Sequence, residues 1–165
     1  MLTLLRSSLI ALTLLALTAC GGWHLRGSQN DNIDTDLTLS ISGGSPEMRA
    51  ALTRYALLNV IEVVDAGGDV KLTLHSDVYR RRIHSVGVNE QPTEFMLIYD
   101  MIVSAQQNNS PLFDRANMRR EQIFAYNSEN PLAGDNEAQL LVDEMRNDLA
   151  RQLVLRAIRQ ASQSK

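Results

Sequence analysis

Thr93-Glu94-Phe95-Met96-Leu97-Ile98-Tyr99-Asp100-Met101-Ile102-Val103-Ser104-Ala105 is the stretch that decides the fold. Its β-branched and aromatic residues predict one long strand. Both of its parities are apolar, with Phe95, Leu97, Tyr99, Met101 and Val103 on one side and Met96, Ile98 and Ile102 on the other. A strand with one solvated face alternates apolar with polar residues, so this one calls for cover on both sides. Before it, Gly87–Pro92 carries Gly, Asn and Pro and reads as a hairpin loop; after it, Asn108-Asn109-Ser110-Pro111 turns the chain back. The preceding strand starts where Val70, Leu72 and Leu74 alternate with Lys71, Thr73 and His75, and it continues through Tyr79 to Ile83. The following strand, about Phe113–Phe124, is more polar, with Arg115, Asn117, Arg119 and Glu121 on one parity. Such short turns make the three strands an antiparallel meander.

Working outward, Leu37, Leu39 and Ile41 alternate with Thr38 and Ser40 as a first strand. Gly43-Gly44 turns the chain, and Ser45-Pro46-Glu47 supplies an N-cap, a proline at the first helical position and an acid in the first turn. Met48, Leu52, Tyr55 and Leu58 or Asn59 then recur at helical spacing, predicting a helix over Pro46–Val60. Gly67-Gly68 is the next break. At the other end, Asn127–Gly134 reads as a loop, and Asp135 or Asn136 caps a final helix, Asn136–Gln160. Ala138, Leu141, Val142, Met145, Leu149 and Leu153 trace its apolar stripe. The order β-α-β-β-β-α places the chain in the α+β class. It predicts a two-layer α/β sandwich, two helices packed on a four-stranded, mostly antiparallel sheet. With both helices on one face, the second apolar parity of the long strand needs other cover. A partner protein and a segment of the chain itself both satisfy that pattern.

Composition mostly excludes. The chain has 165 residues, 16 Lys+Arg against 19 Asp+Glu, a net charge of −3 and a single cysteine. One domain with a real core fits that length. Nucleic-acid binding needs a basic excess that is absent here, and one cysteine rules out an internal disulfide framework or a Cys-rich zinc site. No G-x-S-x-G elbow, P-loop, H-E-x-x-H or dinucleotide fingerprint occurs. His75 and Asp77 share a strand parity with no nucleophile placed near them, His84 stands in an Arg-rich stretch, and His24 lies near the N-terminus. The sequence therefore predicts no enzyme, no cofactor and no metal site.

The N-terminus reads as an address. Met1–Arg6 carries one positive charge and Ser7–Ala19 carries none. The apolar run is too short for a good membrane span and has the proportions of a signal-peptide core. It ends in Leu17-Thr18-Ala19-Cys20, which resembles the lipobox of bacterial lipoproteins, where the cysteine is acylated and becomes the new N-terminus. The three acyl chains that such lipoproteins usually carry exceed what stable anchoring requires. The expected division is residues 1–19 as lipoprotein signal peptide, 20–36 as lipidated N-terminus and tether, and 37–165 as one α/β domain. Gly21 rather than Asp follows the cysteine, which by the bacterial sorting rule directs such a protein to the outer membrane.

One charge cluster stands out in this acidic chain: Arg80-Arg81-Arg82 on the second strand and Arg119-Arg120, with Arg115, on the fourth. The third strand lies between them, so the guanidinium groups could converge on one face. Arg suits bidentate phosphate binding, and an amphipathic phosphorylated ligand is one reading. A solvated face balanced by Glu121 and Asp114 is the other.

Cys20-Gly21-Gly22-Trp23-His24-Leu25-Arg26-Gly27 resembles the C-G-(F/W)-H-L-R-G start of mature members of the LptE family of lipopolysaccharide-assembly lipoproteins. Gln91-Pro92-Thr93-Glu94-Phe95 is similar to the family's Q-x-x-E-Y/F segment. Asn130-Pro131-Leu132-Ala133-Gly134-Asp135-Asn136-Glu137, with Asp143-Glu144-Met145, resembles its loop into the last helix. The resemblance implies an outer-membrane lipoprotein, anchored on the periplasmic side, that plugs the LptD β-barrel, assists its assembly and binds lipopolysaccharide. Arg80, Arg81, Arg82, Arg119 and Arg120 are then the candidate lipopolysaccharide contacts. Basic residues that the family can place in the hairpin and before the last helix are replaced here by Val88 and Gly134. A free periplasm-facing lipoprotein that captures an amphipathic anionic ligand is the alternative, and a hydrolase using His75 and Asp77 a third.

Overall fold

The decisive strand runs past its apolar centre at both ends. In the computed structural model, which describes residues 37–163, it is β4, Pro92–Gln107. The other elements are β1 (Leu39–Gly43), α1 (Pro46–Leu58), β2 (Val63–Val64), β3 (Val70–Val86), β5 (Ser110–Ala125) and α2 (Pro131–Gln163). The expected signal peptide and tether, with Cys20 and His24, lie outside the described residues. The sheet has five strands in the order β2-β1-β3-β4-β5, one more than the four expected. The additional strand is the two-residue β2, parallel to β1 through Leu39↔Val63 and Ser40↔Val64. Two residues are too few for alternation to reveal a strand. β1 is also parallel to β3, and β3, β4 and β5 form the expected antiparallel meander.

Local chemistry explains the turns. Asn108 and Asn109 both have positive φ, 50° and 66°, and join β4 to β5 as a two-residue hairpin. That is the I′ geometry, which Asn tolerates and whose twist matches the strands. Gly43 sits at φ 75°, and a Cβ there would lie 2.2 Å from the Leu74 carbonyl oxygen, so only glycine lets β1 end against β3. Ser45 caps α1 by accepting a hydrogen bond from the Met48 N–H at 3.2 Å.

Both helices lie on one face of the sheet. The core joins Leu39, Leu72, Leu97 and Met101 of the sheet to Met48 and Leu52 of α1 and Met145, Leu149, Leu153 and Ile158 of α2, all essentially inaccessible to water. Each such side chain contributes roughly 1.5–3 kcal/mol on burial. The last helix starts five residues earlier than expected. Asn130 is its cap, accepting from the Ala133 N–H at 3.3 Å, Pro131 opens the first turn, and Gly134 is a buried helical residue rather than a loop residue. Asp135 and Asn136 are therefore inside the helix.

Candidate functional site

Two β-bulges decide which side chains face the helices. The β3–β4 register shifts between Leu74 and Ser76, and the β4–β5 register shifts between Val103 and Ala105. An extra residue moves everything beyond it to the opposite face. Beyond the bulge, Asp77, Tyr79, Arg81 and Ile83 stand opposite the helix-facing Met101, Tyr99, Leu97 and Phe95. The uncovered face instead carries Val78, Arg80 and Arg82 of β3, Met96, Ile98, Asp100 and Ile102 of β4, and Asn117, Arg119, Glu121 and Ile123 of β5.

The sequence expectation that the five arginines converge on one face is thus corrected. Arg80, Arg82 and Arg119 share the uncovered face; Arg81 and Arg120 are on the helix side. Asp100 organises the first group. It pairs with Arg80, and it accepts from Arg119 Nε at 2.5 Å and Arg119 Nη2 at 3.0 Å. The hydrogen bonds from Arg119, with the positive field of Arg119, Arg80 and Arg82, hold its carboxyl below the usual Asp range. Arg82 makes no ion pair among the described residues. Around this charge group the face is apolar, with Val78 43% and Ile123 46% exposed. Ile98 at its centre is only 4% exposed, flanked in register by Arg80 and Glu121, long side chains whose stems cover apolar surface.

The other two arginines bind α2 to the sheet. Arg81 stacks its guanidinium 3.8 Å above the Phe95 ring, near Tyr126 and Phe124, and donates to Asp135 at 2.7 Å. Arg120 pairs with Asp148, which also accepts from Arg151 at 3.2 Å. Gly134 lies under the same aromatic cluster, where a Cβ would stand 2.6 Å from the Tyr126 ring. The first-turn position therefore holds glycine because the ring occupies the space of a side chain. Val88, at the hairpin tip, is fully exposed and lines a groove of about 300 Å3 together with Tyr126 and Glu129.

His75 and Asp77 do not share a face either, because the bulge lies between them. His75 Nε2 is 2.7 Å from Ser104 Oγ, which donates to Asp114 at 2.8 Å and accepts from the Arg115 N–H at 3.0 Å. One serine hydroxyl therefore joins the extra residues of both bulges. Arg115, at φ 44°, is the strained member of the β5 bulge. Asp77 instead points to the helices, accepting from the Ser45 N–H at 2.9 Å, the Ser45 hydroxyl at 2.5 Å and the Tyr99 hydroxyl at 3.1 Å. Burial raises the Tyr99 pKa. This arrangement fixes the start of α1 and sets Asp77 on the face opposite His75. Among the described residues no group of His, Cys, Asp and Glu is placed to hold a metal. Sequence alone does not give the Ser104 link, since a serine in an apolar strand carries no signal until the bulges are known.

The fold has relatives among solved structures. Rare lipoprotein B from Shewanella oneidensis superposes with a TM-score of 0.63 at 21% identity, covering 77% of this chain and 98% of that one. An uncharacterized lipoprotein B from Nitrosomonas europaea gives 0.62 at 18% identity, covering 72% and 80%. A minor lipoprotein from Acinetobacter baumannii gives 0.60 at 12%, covering 73% and 90%. No curated protein matches the sequence significantly. The sequence model described as LptE: Lipopolysaccharide-assembly, however, matches residues 29–157, which include both helices and all five strands up to the last turns of α2. That match spans most of the chain and assigns it to the LptE lipopolysaccharide-assembly family.

Proposed function

We propose that this chain is an outer-membrane lipoprotein, acylated at Cys20 and facing the periplasm, that acts with the LptD β-barrel as plug and assembly factor and binds lipopolysaccharide without catalysing a reaction. The observation that carries the reading is the uncovered sheet face. Val78 and Ile123 are exposed beside the Arg80–Asp100–Arg119 group on a surface that no described helix covers. Apolar surface with a central charge group is suited to a protein wall. The family match supports the role in lipopolysaccharide assembly, and Leu17-Thr18-Ala19-Cys20 supports the anchor. Lipopolysaccharide contact is proposed for Arg82, Arg80 and Arg119, whose guanidinium groups lie on the open face, since Arg81 and Arg120 are engaged with α2.

The test is recovery of the tagged full-length protein from outer membranes in mild detergent. A large β-barrel co-purifying near one-to-one supports the plug. A monomer recovered alone in several detergents overturns it in favour of a free lipoprotein that captures an anionic amphiphile. A variant carrying Arg80→Ala, Arg82→Ala and Arg119→Ala should bind lipopolysaccharide several-fold more weakly with its circular dichroism unchanged, and unchanged binding removes that assignment.

A further inference from the structure

The two β-bulges lie at one level of the sheet, on either side of the same residue. On β3 His75 is the residue in excess, since Leu74 pairs with Val103 and Ser76 with Ile102. On β5 Asp114 and Arg115 together face the single residue Ser104, since Phe113 pairs with Ala105 and Ala116 with Val103. Ser104 is buried, and a serine hydroxyl has one proton and two lone pairs. The proton goes to Asp114 Oδ1, and one lone pair takes the Arg115 N–H. Only the second lone pair is left for His75, so His75 Nε2 carries a proton and is the donor of the 2.7 Å contact. The hydroxyl is thereby saturated, with residues of both bulges tied to it.

Hydrophobic pattern does not choose the phase of β3 beyond this level. Asp77, Tyr79, Arg81 and Ile83 form the parity that faces the helices, and Val78, Arg80 and Arg82 form the other. Each mixes charged with apolar residues, and such a strand specifies its register weakly. The Asp100 group nevertheless needs both flanking strands in phase, because it joins Arg80 of β3 to Arg119 of β5. Losing the β3 bulge alone would turn Arg80 and Arg82 to the helices while Arg119 stayed outside, and losing the β5 bulge alone would do the reverse. We propose that Ser104 is the positioning residue of the ligand face: its hydroxyl locks the two bulges to one another, so that Arg80, Arg82 and Arg119 are presented together. The inference rests on the reading of these arginines as lipopolysaccharide contacts. On the helix side Asp77 holds β3 through Ser45 and Tyr99, and Arg120 holds β5 through Asp148. Removing the hydroxyl therefore loosens the alignment of the arginines without releasing the strands from the helices.

The full-length lipoprotein, made without the barrel and kept in detergent, tests this with purified lipopolysaccharide as the probe. Ser104→Ala should bind several-fold more weakly than wild type, and Ser104→Thr, which keeps a hydroxyl, should restore binding. Proton NMR should show the His75 Nε2–H exchanging slowly with water in wild type and Ser104→Thr, and rapidly in Ser104→Ala. A thiol at Met118→Cys, on the helix side of β5, should be alkylated several-fold faster when Ser104→Ala is added, because the strand spends time out of phase. If Ser104→Ala does not fold, His75→Ala carries the test, since His75 is exposed and outside the core. It frees the β3 bulge alone and should also weaken binding. Unchanged binding in either variant, when Arg80→Ala, Arg82→Ala and Arg119→Ala together weaken it, overturns the lock and leaves the ligand face standing. Unchanged binding in that triple variant as well overturns both. Equal loss in Ser104→Ala and Ser104→Thr, with the slow His75 proton kept in the second, also overturns the lock.

Discussion

The two faces of β4 are built from one strand and behave as different materials. On the helix face Leu97, Tyr99, Met101 and Val103 are sealed under α1 and α2, and the charge next to them, Arg81, is bound by an aromatic ring and by Asp135. On the opposite face Ile98 and Ile102 are almost as apolar, yet Arg80 and Arg119 spend their charge on Asp100 at the surface. Adjacent residues therefore differ: Arg81 is part of the packing, and Arg82 stands on the open face with no ion pair among the described residues. Apolar content alone therefore does not define the core of this domain; the face on which the helices pack does.

Substitutions on the two faces should have unequal effects. Leu97→Ala should cost about 2–5 kcal/mol in urea unfolding, because it opens a cavity between sheet and helices. Ile102→Ala, on the half-buried open face, should cost less than half as much, and equal losses would mean that something already covers that face. Gly134→Ala should destabilise by about 1–3 kcal/mol despite the higher helix propensity of alanine, since its Cβ meets the Tyr126 ring. Combining it with Tyr126→Ala should recover part of the loss, a coupling that a double-mutant cycle measures. Arg81→Ala should cost about 1–2 kcal/mol through the lost stacking and ion pair, whereas Arg82→Ala should change stability by less than about 0.5 kcal/mol.

The smallest effect concerns acid. The Asp100 carboxyl is held below its ordinary value of 3.8, so it binds fewer protons folded than unfolded. Its stabilising contribution is complete above that value and is lost as pH falls through the lower, folded value. Wild-type protein should therefore lose stability more steeply than Asp100→Asn below about pH 4, by a modest amount because Arg80 and Arg119 are partly solvated. Parallel acid-unfolding curves for the two proteins would deny the arginine pairs any energetic part.

How much of this was legible in sequence depended on phase. The meander, both helices and the doubly apolar strand follow from period-two and helical spacing that tertiary packing did not override. The split of the arginines did not, because each bulge inserts one residue and reverses every face beyond it. Counting parity from Leu72 through His75 to Arg82 gives the wrong side, and nothing in Leu74-His75-Ser76 announces the insertion. The loss of β2 has a simpler cause, its two residues. Gly134 misled in another way: a glycine reads as a break, but here it makes room for a ring.

The meander has a consequence in time as well as in space. β3, β4 and β5 are joined by short turns, and the two-residue Asn108–Asn109 hairpin holds its strands in register from neighbouring sequence alone. β1 must instead wait for α1 and the Gly67-Gly68 turn to bring β3 alongside in parallel, a slower closure of a longer loop. Pulse-labelled hydrogen exchange during refolding should protect β4 and β5 amides before those of β1, and simultaneous protection would refute the order. A chain that assembles in this sequence finishes at the end where β1 and β2 meet. The edge nearest the N-terminus, synthesised first, is then the last to close.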